Sequence, residues 1–412
     1  MEVDRNNAQR DPNNRRADQI AKRVSTRFAT LNMNGFGDLV PGSALNKWGT
    51  LFKEMKDAKI GVLMLQETHL TIERTLRLEG MFGNRIKIFA SLDPETPSAK
   101  AGVAFVLNKS LVSTKDASAI EIVPGRALQI SIPNQYGEVT HALCIYAPAN
   151  GNVARATFFQ TVLQHYERHP LTPKPTLMAG DFNNTEDAID RFPTKIPEAS
   201  IQSLDELKAH LGLMLADGWR MTHPTSVDYT WYGNRTGGAR IASRLDRIYT
   251  TQGIFNENAR DWRIRAPGVR TDHLMQTVSI ASQNAPEVGK GRPVFPKCLI
   301  KDNKLAKKMK EAGMNAQRQL DSLEQGTTER SIEHNPQTIL LNLKNQWMSD
   351  ARNREKEVVP RILEEIEELR KTRRNLQKNK NMEDLLRVSE LQAVAKRLTE
   401  LRLKRHKQRQ AC

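Results

Sequence analysis

The segment Met178-Ala179-Gly180-Asp181-Phe182-Asn183 places an acid and an amide two residues apart at the end of an apolar run. A short apolar run predicts a buried strand, and the polar residues mark the point where that strand ends. Two other segments share this layout: Leu65-Gln66-Glu67-Thr68-His69 follows an apolar run, and Thr271-Asp272-His273 precedes one. We therefore expect the acid, amide and imidazole groups of all three segments to meet at one common edge.

Such a cluster contains the groups that metal-assisted cleavage of a phosphodiester requires. The reaction needs charge neutralised on the phosphoryl group, a nucleophilic water and a stabilised leaving oxygen. Mg²⁺ prefers carboxylate oxygens, which Glu67 and Asp272 would supply. In this hypothesis Asp181 orients and deprotonates the attacking water, and Asn183 donates to a phosphate oxygen.

His273 would contact the scissile phosphate if a carboxylate fixed its tautomer, and Asp246 is the candidate for that carboxylate. Each motif alone has a simpler structural interpretation. Asp-Phe-Asn is common as a turn with local side-chain hydrogen bonds, and Asp-His as a surface ion pair. The joint order of the motifs at strand ends favours an active site.

Charge and composition indicate the class of partner. The 412-residue chain has a net charge of +16, and residues 281–412 hold 29 Lys and Arg against 18 Asp and Glu. An anionic polymer or surface is the expected partner. The three cysteines, Cys144, Cys298 and Cys412, show neither metal-pair nor disulfide spacing, and no apolar run is long enough to span a bilayer. We expect an intracellular protein without membrane association.

Composition divides the chain into four regions. Residues 1–25 are polar and predict a disordered arm, and residues 26–281 predict a large α/β domain. Residues 282–300 contain Pro and Gly and predict a linker, and residues 301–412 predict a basic helical region. Within the α/β domain, apolar patterns predict strands at 28–31, 60–65, 101–107, 127–132, 139–146, 176–179, 229–232, 245–249 and 274–280, and helices at 44–58, 158–166 and 204–213. The repeated order of strand, helix, strand and carboxylate predicts two packed sheets.

The basic region contains two apolar repeats with heptad-like spacing, which predict two amphipathic helices. The repeats are Ile362, Ile366, Leu369 and Leu376, then Leu391, Val394, Leu398 and Leu401. These helices would pack as a hairpin or short coiled coil, with self-association as the alternative. Their basic residues either bind phosphates or form a solvated face; for residues 402–409, which contain no acid, nucleic-acid binding is favoured.

Residues 28–280 resemble the endonuclease/exonuclease/phosphatase superfamily. The matching motifs are Leu31-Asn32-Met33-Asn34-Gly35, Gln66-Glu67-Thr68-His69, Ile145-Tyr146-Ala147-Pro148, Gly180-Asp181-Phe182-Asn183, Tyr229-Thr230-Trp231, Ser243-Arg244-Leu245-Asp246-Arg247 and Thr271-Asp272-His273. The resemblance implies a four-layer sandwich of two mixed β-sheets flanked by helices. Within the superfamily, the chain looks most like the endonuclease domains of non-LTR (LINE-type) retrotransposons.

The resemblance also implies a role for each motif residue. Asn32 and Glu67 would position a metal, with Asp272 sharing in its binding or orienting the histidine, and Asn34 would neighbour Asn32. Tyr146 and Asn183 would contact the phosphate, Asp181 would activate water, and Asp246 would pair with His273. Thr230 and Arg244 would lie on a DNA-facing rim. Independently of the resemblance, the aromatic side chains of Trp231 and Tyr232 would stack on bases or pack in the core.

We therefore expect a Mg²⁺-dependent DNA endonuclease that nicks one strand, with Mn²⁺ as an alternative cofactor, DNA as partner and the nucleus favoured over the cytoplasm. Two alternatives stay open: the same fold acting on a small or lipid phosphate ester, and a catalytically silent nucleic-acid-binding relic. A full element would continue into a reverse transcriptase, whereas this sequence stops at Cys412. The expectation is a truncated element product or a standalone gene derived from one.

Overall fold

The computed structural model describes residues 23–408, apart from residues 42, 44, 135–136, 195–197, 235–237, 283, 287–294, 297–298, 301, 359 and 380. The chain divides into two compact units, Met1–Gly289 with Lys371–Leu403, and Lys290–Arg370 with Lys404–Cys412. Residues 1–22 of the predicted arm (1–25) lie outside the described residues. Much of the predicted linker (282–300) also lies outside them. The four-region division stays a prediction.

One large sheet carries the first half of the site. Its six strands are β1 (Ser25–Asn32), β2 (Ile60–Gln66), β3 (Ile86–Ser91), β4 (Val103–Asn108), β13 (Ala259–Arg265) and β14 (Met275–Ala281). They are ordered β13–β14–β1–β2–β4–β3, with β1 and β2 parallel and the other pairs antiparallel. Helices α1 (Lys47–Asp57) and α2 (Ile72–Phe82) cover one face, where Trp48 and Leu78 pack with Leu31 and Leu63 in one apolar core.

A second large sheet has the same construction. Its strands are β5 (Ser118–Val123), β6 (Ala127–Pro133), β7 (Val139–Tyr146), β8 (Leu177–Asp181) and β12 (Asp246–Thr250), ordered β12–β8–β7–β6–β5. Here β7 and β8 are parallel and the other pairs antiparallel. Helices α3 (Asn152–Arg168) and α4 (Ser200–Leu211) cover its outer face through Phe159 and Leu207, which pack with Met178.

The two sheets pack face to face. Between them, Gln66 Nε2 donates to Cys144 Sγ at 3.2 Å, and Asn32 Nδ2 donates to Asp181 Oδ2 at 2.9 Å. The layers therefore run helix, sheet, sheet, helix, which confirms the predicted four-layer sandwich. A small sheet at the edge contains β9 (Arg191–Phe192), β10 (Trp231–Asn234) and β11 (Arg240–Ser243), and two short helices, α5 (Gly218–Thr222) and α6 (Gln252–Glu257), complete this part.

The predicted helical extension is confirmed by four helices, α7 (Asn303–Glu324), α8 (Pro336–Val358), α9 (Pro360–Lys378) and α10 (Asp384–Gln408). Within the unit that contains α7 and α8, the Trp347 indole donates to the Met309 carbonyl at 3.0 Å. Residues 371–403 belong to the other unit, where Val388 packs in a cluster with Tyr229 and Ala242. Self-association through these helices stays a prediction. Among the described helices, none has both the length and the apolarity for a membrane span.

Candidate active site

Strand direction explains why the predicted residues meet at one edge. Parallel strands end at the same edge, and an antiparallel neighbour begins there. β12 is antiparallel to β8, with Asp246 opposite Asp181, and β14 is antiparallel to β1. The residues that this arrangement gathers are Asn32, Tyr146 and Asp181 at strand ends, Glu67 just after β2, Asp246 at the start of β12, and Asp272 and His273 just before β14. The edge predicted from the three segments is therefore present.

The backbone is strained where the strands deliver these groups. Glu67 and Asn183 adopt left-handed conformations, with φ of 48° and 50° respectively. Such conformations are uncommon for residues other than glycine and cluster at functional sites. Gly180 is required for a steric reason, because a Cβ at this position would lie 1.8 Å from the Ile145 carbonyl oxygen of the adjacent strand.

Asn32 connects the two sheets and orients two carboxylates. Its Nδ2 donates to Glu67 Oε1 at 2.8 Å and to Asp181 Oδ2 at 2.9 Å, while its Oδ1 accepts from the Asn34 amide at 2.8 Å. The Tyr146 hydroxyl donates to Glu67 Oε1 at 2.9 Å. Because both amide hydrogens of Asn32 are used, its flip state and the positions of the two acids are fixed together.

His273 and two aspartates form a buried charged group. Its Nδ1 donates to Asp246 Oδ2 at 2.8 Å, and its Nε2 lies 4.0 Å from Asp181 Oδ2. Burial opposes protonation of the imidazole, but Asp246, assisted by Asp181, raises the pKa of His273 to about 10. Burial and the Asp246 charge raise the pKa of Asp181 to about 6, against the opposing effects of His273 and Asn32. Near neutral pH, the group combines an imidazolium with a carboxylate whose pKa suits a general base.

Asp272 lies on the exposed side of the same edge. Its Oδ1 accepts from Asn34 Nδ2 and its Oδ2 from the Trp231 indole, both at 2.9 Å. Burial raises the pKa of Asp272, but the charge of His273 and these two hydrogen bonds lower the pKa by more, so the net shift is downward. Trp231 thus orients the Asp272 carboxylate, a role that differs from both predicted roles, base stacking and core packing. The position of Trp231 in the Tyr-Thr-Trp motif was the feature of the sequence that could have indicated this role.

An open cleft of about 660 Å³ exposes this edge, lined among others by Glu67, Asn183, Trp231, Asp272 and His273. Asn183 donates from its backbone amide to Asp181 Oδ1 at 3.0 Å and from its side chain to the Ala147 carbonyl at 2.9 Å. The cleft therefore offers acids, amides and an imidazolium to a ligand that reaches its floor.

Two groups of side chains are candidates to hold a cation. Glu67, Asp272 and Asn32 offer only oxygen ligands, and Glu67 Oε2 makes no hydrogen bond within the described part of the chain. This donor set suits a hard cation such as Mg²⁺. Asp181, Asp246 and His273 also bring potential ligand atoms within 4.8 Å of one another. We favour the first group, because its ligand atoms are all oxygens, which Mg²⁺ prefers, and because Nδ1 of His273 is already engaged by Asp246.

The predicted placement of Thr230 and Arg244 on a DNA-facing rim is wrong, because both residues are 0% exposed. Thr230 Oγ1 accepts from the amides of Leu245 and Asp246 at 2.9 and 3.0 Å, so it holds the start of β12. Arg244 is enclosed by acids: Nε and Nη2 donate to Asp190 at 2.8 and 2.5 Å, and Nη1 lies 2.7 Å from Asp217. Both residues support the site from inside the protein.

Lys47 is a residue that the sequence analysis missed. Its side chain is buried, and Nζ donates to the carbonyls of Met33, Asn34 and Gly35 at 2.7, 2.7 and 3.2 Å. Burial lowers its pKa, opposed by the charges of Asp272 and Glu67. It fixes the turn that carries Asn34. A lysine in the first turn of an amphipathic helix gives no sequence signal for such a role.

The part of the chain that contains these motifs matches a known protein family. Residues 7–273 match the Endonuclease/Exonuclease/phosphatase family. The chain belongs to this family. The match extends over more than half of the sequence and contains every residue of the edge described above, so the predicted superfamily is confirmed.

Similar individual proteins include a transposon protein and two endonucleases of known structure. An uncharacterized 149 kDa protein of transposon TX1 from Xenopus laevis is 30% identical over 258 residues, which cover 62% of this chain. This chain spans only 18% of that relative's length. The AP endonuclease LMAP from Leishmania major has the same fold, with a TM-score of 0.50 and 16% identity over 67% of this chain and 97% of its own. The endonuclease domain of TRAS1, a telomere-specific non-LTR retrotransposon, matches with a TM-score of 0.45 and 17% identity over 63% of this chain and 99% of its own.

Proposed function

We propose that this chain is a Mg²⁺-dependent DNA endonuclease that nicks one strand by attack of water on a phosphodiester. The observation that carries the proposal is the Asp181–His273 pair at the floor of the cleft. A buried carboxylate with a pKa of about 6 lies 4.0 Å from an imidazole with a pKa of about 10. One group can accept a proton while the other carries positive charge, which is the combination that hydrolysis of a phosphate diester needs.

Each residue then has a defined task. Asp181, held by Asn32 and by the Asn183 amide, accepts a proton as the water oxygen bonds to phosphorus and the bond to the leaving oxygen breaks. His273 Nε2 donates to a phosphate oxygen, and Asp246 stabilises its positive charge. A cation held by Glu67, Asp272 and Asn32 would neutralise charge on the phosphoryl group and the leaving oxygen.

DNA is the proposed substrate for two reasons. The net charge of +16 favours a polyanion over a small phosphate ester. The relative with 30% identity is a transposon protein, and the sequence motifs look most like those of retrotransposon endonuclease domains. Origin from a retrotransposon and a nuclear location, where that DNA lies, are part of the same proposal.

Relaxation of supercoiled plasmid tests the proposal. Purified protein is incubated with Mg²⁺ or with EDTA, and compared with Asp181→Asn and with Asp116→Asn, an exposed matched control outside the cleft. We expect open-circle product only with Mg²⁺, at wild-type rates in Asp116→Asn and at rates lower by about 10²- to 10⁴-fold in Asp181→Asn. Binding without cleavage would favour the silent relic. Neither binding nor cleavage would direct the search to small or lipid phosphate esters.

A further inference from the structure

The basic C-terminal helices bury part of their charge within the unit that holds the active site. Arg373 of α9 is 6% exposed, and its Nη2 donates to both carboxylate oxygens of Asp228 at 2.8 and 2.9 Å. Gln377, one helical turn later, donates to Asp228 Oδ2 at 2.5 Å. The other terminal nitrogen of Arg373 donates to the Ile264 carbonyl at 3.1 Å, so the guanidinium joins α9 to β13 as well.

Helix α10 adds contacts at separate places on the same unit. Val388 packs with Tyr229, and Gln392 accepts from Arg240 Nη1 at 2.7 Å. Arg402 donates to Glu54 Oε1 of α1 at 3.0 Å and to the Ala266 carbonyl at 2.5 Å. Arg402 was expected to favour nucleic-acid binding, but it is 8% exposed and held by protein groups. A buried guanidinium without such partners would be costly, so loss of either arginine's partners should displace its helix.

Asp228 is the first residue of a short segment, residues 228–231, that contacts the proposed catalytic residues. Thr230 Oγ1 accepts from the Asp246 amide at 3.0 Å, and the Thr230 carbonyl accepts from the Leu274 amide at 2.6 Å. Trp231 donates to Asp272 at 2.9 Å and forms a bridge with His273. Segment 228–231 therefore contacts both members of the Asp246–His273 pair and an acid of the favoured metal group.

We propose that residues 371–403 are a positioning element of the active site, in which Arg373 and Gln377 hold Asp228 so that Thr230 and Trp231 align the catalytic residues. The proposal rests on the proposed endonuclease function for its effect on rate. Its structural basis is independent of that function, because Asp228 is 1% exposed and both of its oxygens accept from α9. A buried carboxylate that loses its cation must take up a proton or draw in water, and its segment then shifts.

Two neighbouring arginines provide the test. Arg373→Ala removes the buried partner of Asp228, and Arg374→Ala removes the same charge from an exposed position in the same turn. Hydrogen exchange is measured at the amides of Asp246 and Leu274, together with single-turnover nicking and DNA affinity. We expect Arg373→Ala alone to accelerate exchange at both amides and to lower the rate by roughly tenfold or more, because small misplacements are costly. DNA affinity should be equal in the two variants.

The outcomes separate this inference from the proposed function. The positioning role would be overturned if the two variants had equal amide exchange rates and equal nicking rates. It would also be overturned if Arg373→Ala changed only the DNA affinity. If the wild type does not nick DNA, the endonuclease proposal fails while the exchange data still decide the structural coupling. If Arg373→Ala does not fold, Gln377→Ala removes one hydrogen bond and keeps the ion pair; wild-type exchange and rate in that variant would contradict the proposal.

Discussion

The imidazole of His273, which precedes a strand of one sheet, donates to the carboxylate of Asp246, which begins a strand of the other, at 2.8 Å. The Asp246–His273 pair therefore forms only when the two sheets face each other. This relationship explains why the site residues are spread over more than two hundred positions of sequence while their side chains share one cleft.

Asp246→Asn should lower catalysis without disrupting the fold. The amide keeps the shape of the side chain but removes the charge that raises the pKa of His273, so less imidazolium is available near neutral pH. We expect single-turnover nicking to fall by about 10²- to 10⁴-fold with unchanged DNA affinity. Asp116→Asn serves again as the control. A rate within twofold of the wild type would rule out a catalytic role for the pair.

Glu67→Gln and Asp272→Asn should weaken metal binding. Each removes one carboxylate from the oxygen ligand group, so the Mg²⁺ concentration that gives half-maximal nicking should rise by roughly 10- to 100-fold. Asp246→Asn should lower the rate at saturating Mg²⁺ without this shift. Mg²⁺ titrations of the three variants distinguish the two candidate groups. A shift in Asp246→Asn alone would place the cation at Asp181, Asp246 and His273 instead.

Asp190 should give the free energy of unfolding a defined dependence on pH. Burial raises the pKa of Asp190, but the charges and hydrogen bonds of Arg244 and Arg220 more than offset this and hold it below 3.8. The stabilisation is therefore complete above the unfolded value and is lost as pH falls through the lower folded value. Asp190→Asn should cost about 3–5 kcal/mol near neutral pH, because it leaves buried guanidinium groups without their acid.

Urea unfolding of the wild type and Asp190→Asn, followed from about pH 7 to about pH 3, measures this dependence. The difference between the two proteins should be constant down to about pH 5 and should narrow below about pH 4. A difference that does not change with pH would contradict the assigned ion pairs.

Gly180→Ala should disrupt the second sheet. The new Cβ would meet the Ile145 carbonyl at 1.8 Å, so β7 and β8 would have to separate. We expect a loss of stability of about 3 kcal/mol or more, or insoluble protein. Gly80→Ala is the control, because nothing lies within 4 Å of its Cβ and α2 should gain about 0.5–1 kcal/mol. Thermal unfolding compares them, and equal melting temperatures would be inconsistent with this strand pairing.

Much of the site was predictable from the sequence because its chemistry lies at strand ends. Buried apolar runs identified β2 and β8, and the polar residues after them identified Glu67 and Asp181. Strand β5 was not predicted, because residues 118–121 are exposed at the edge of the sheet and only the short alternation Ile120-Glu121-Ile122 marks the strand in the sequence. Periodicity detects burial on one or two faces, so an exposed edge strand gives it little signal.

The partners of buried charges were the features that the sequence did not reveal. The family resemblance placed Arg244 on a DNA-facing rim, but its partner Asp190 is 54 positions away. Arg373 belongs to a helix rich in charge, and its partner Asp228 is 145 positions away. A charged residue looks the same in sequence whether it binds phosphate or a distant acid. Only the fold distinguishes the two.

Cleavage in water enriched in oxygen-18 tests the central claim most directly. Wild-type protein in excess nicks a plasmid once in the presence of Mg²⁺, and mass spectrometry measures the label in the phosphate at the nick. Attack by a water that Asp181 activates predicts one labelled oxygen per nick, with product formation strongly reduced in Asp181→Asn and absent in EDTA. An unlabelled phosphate at the nick, or labelled product formed equally well by Asp181→Asn, would contradict the mechanism.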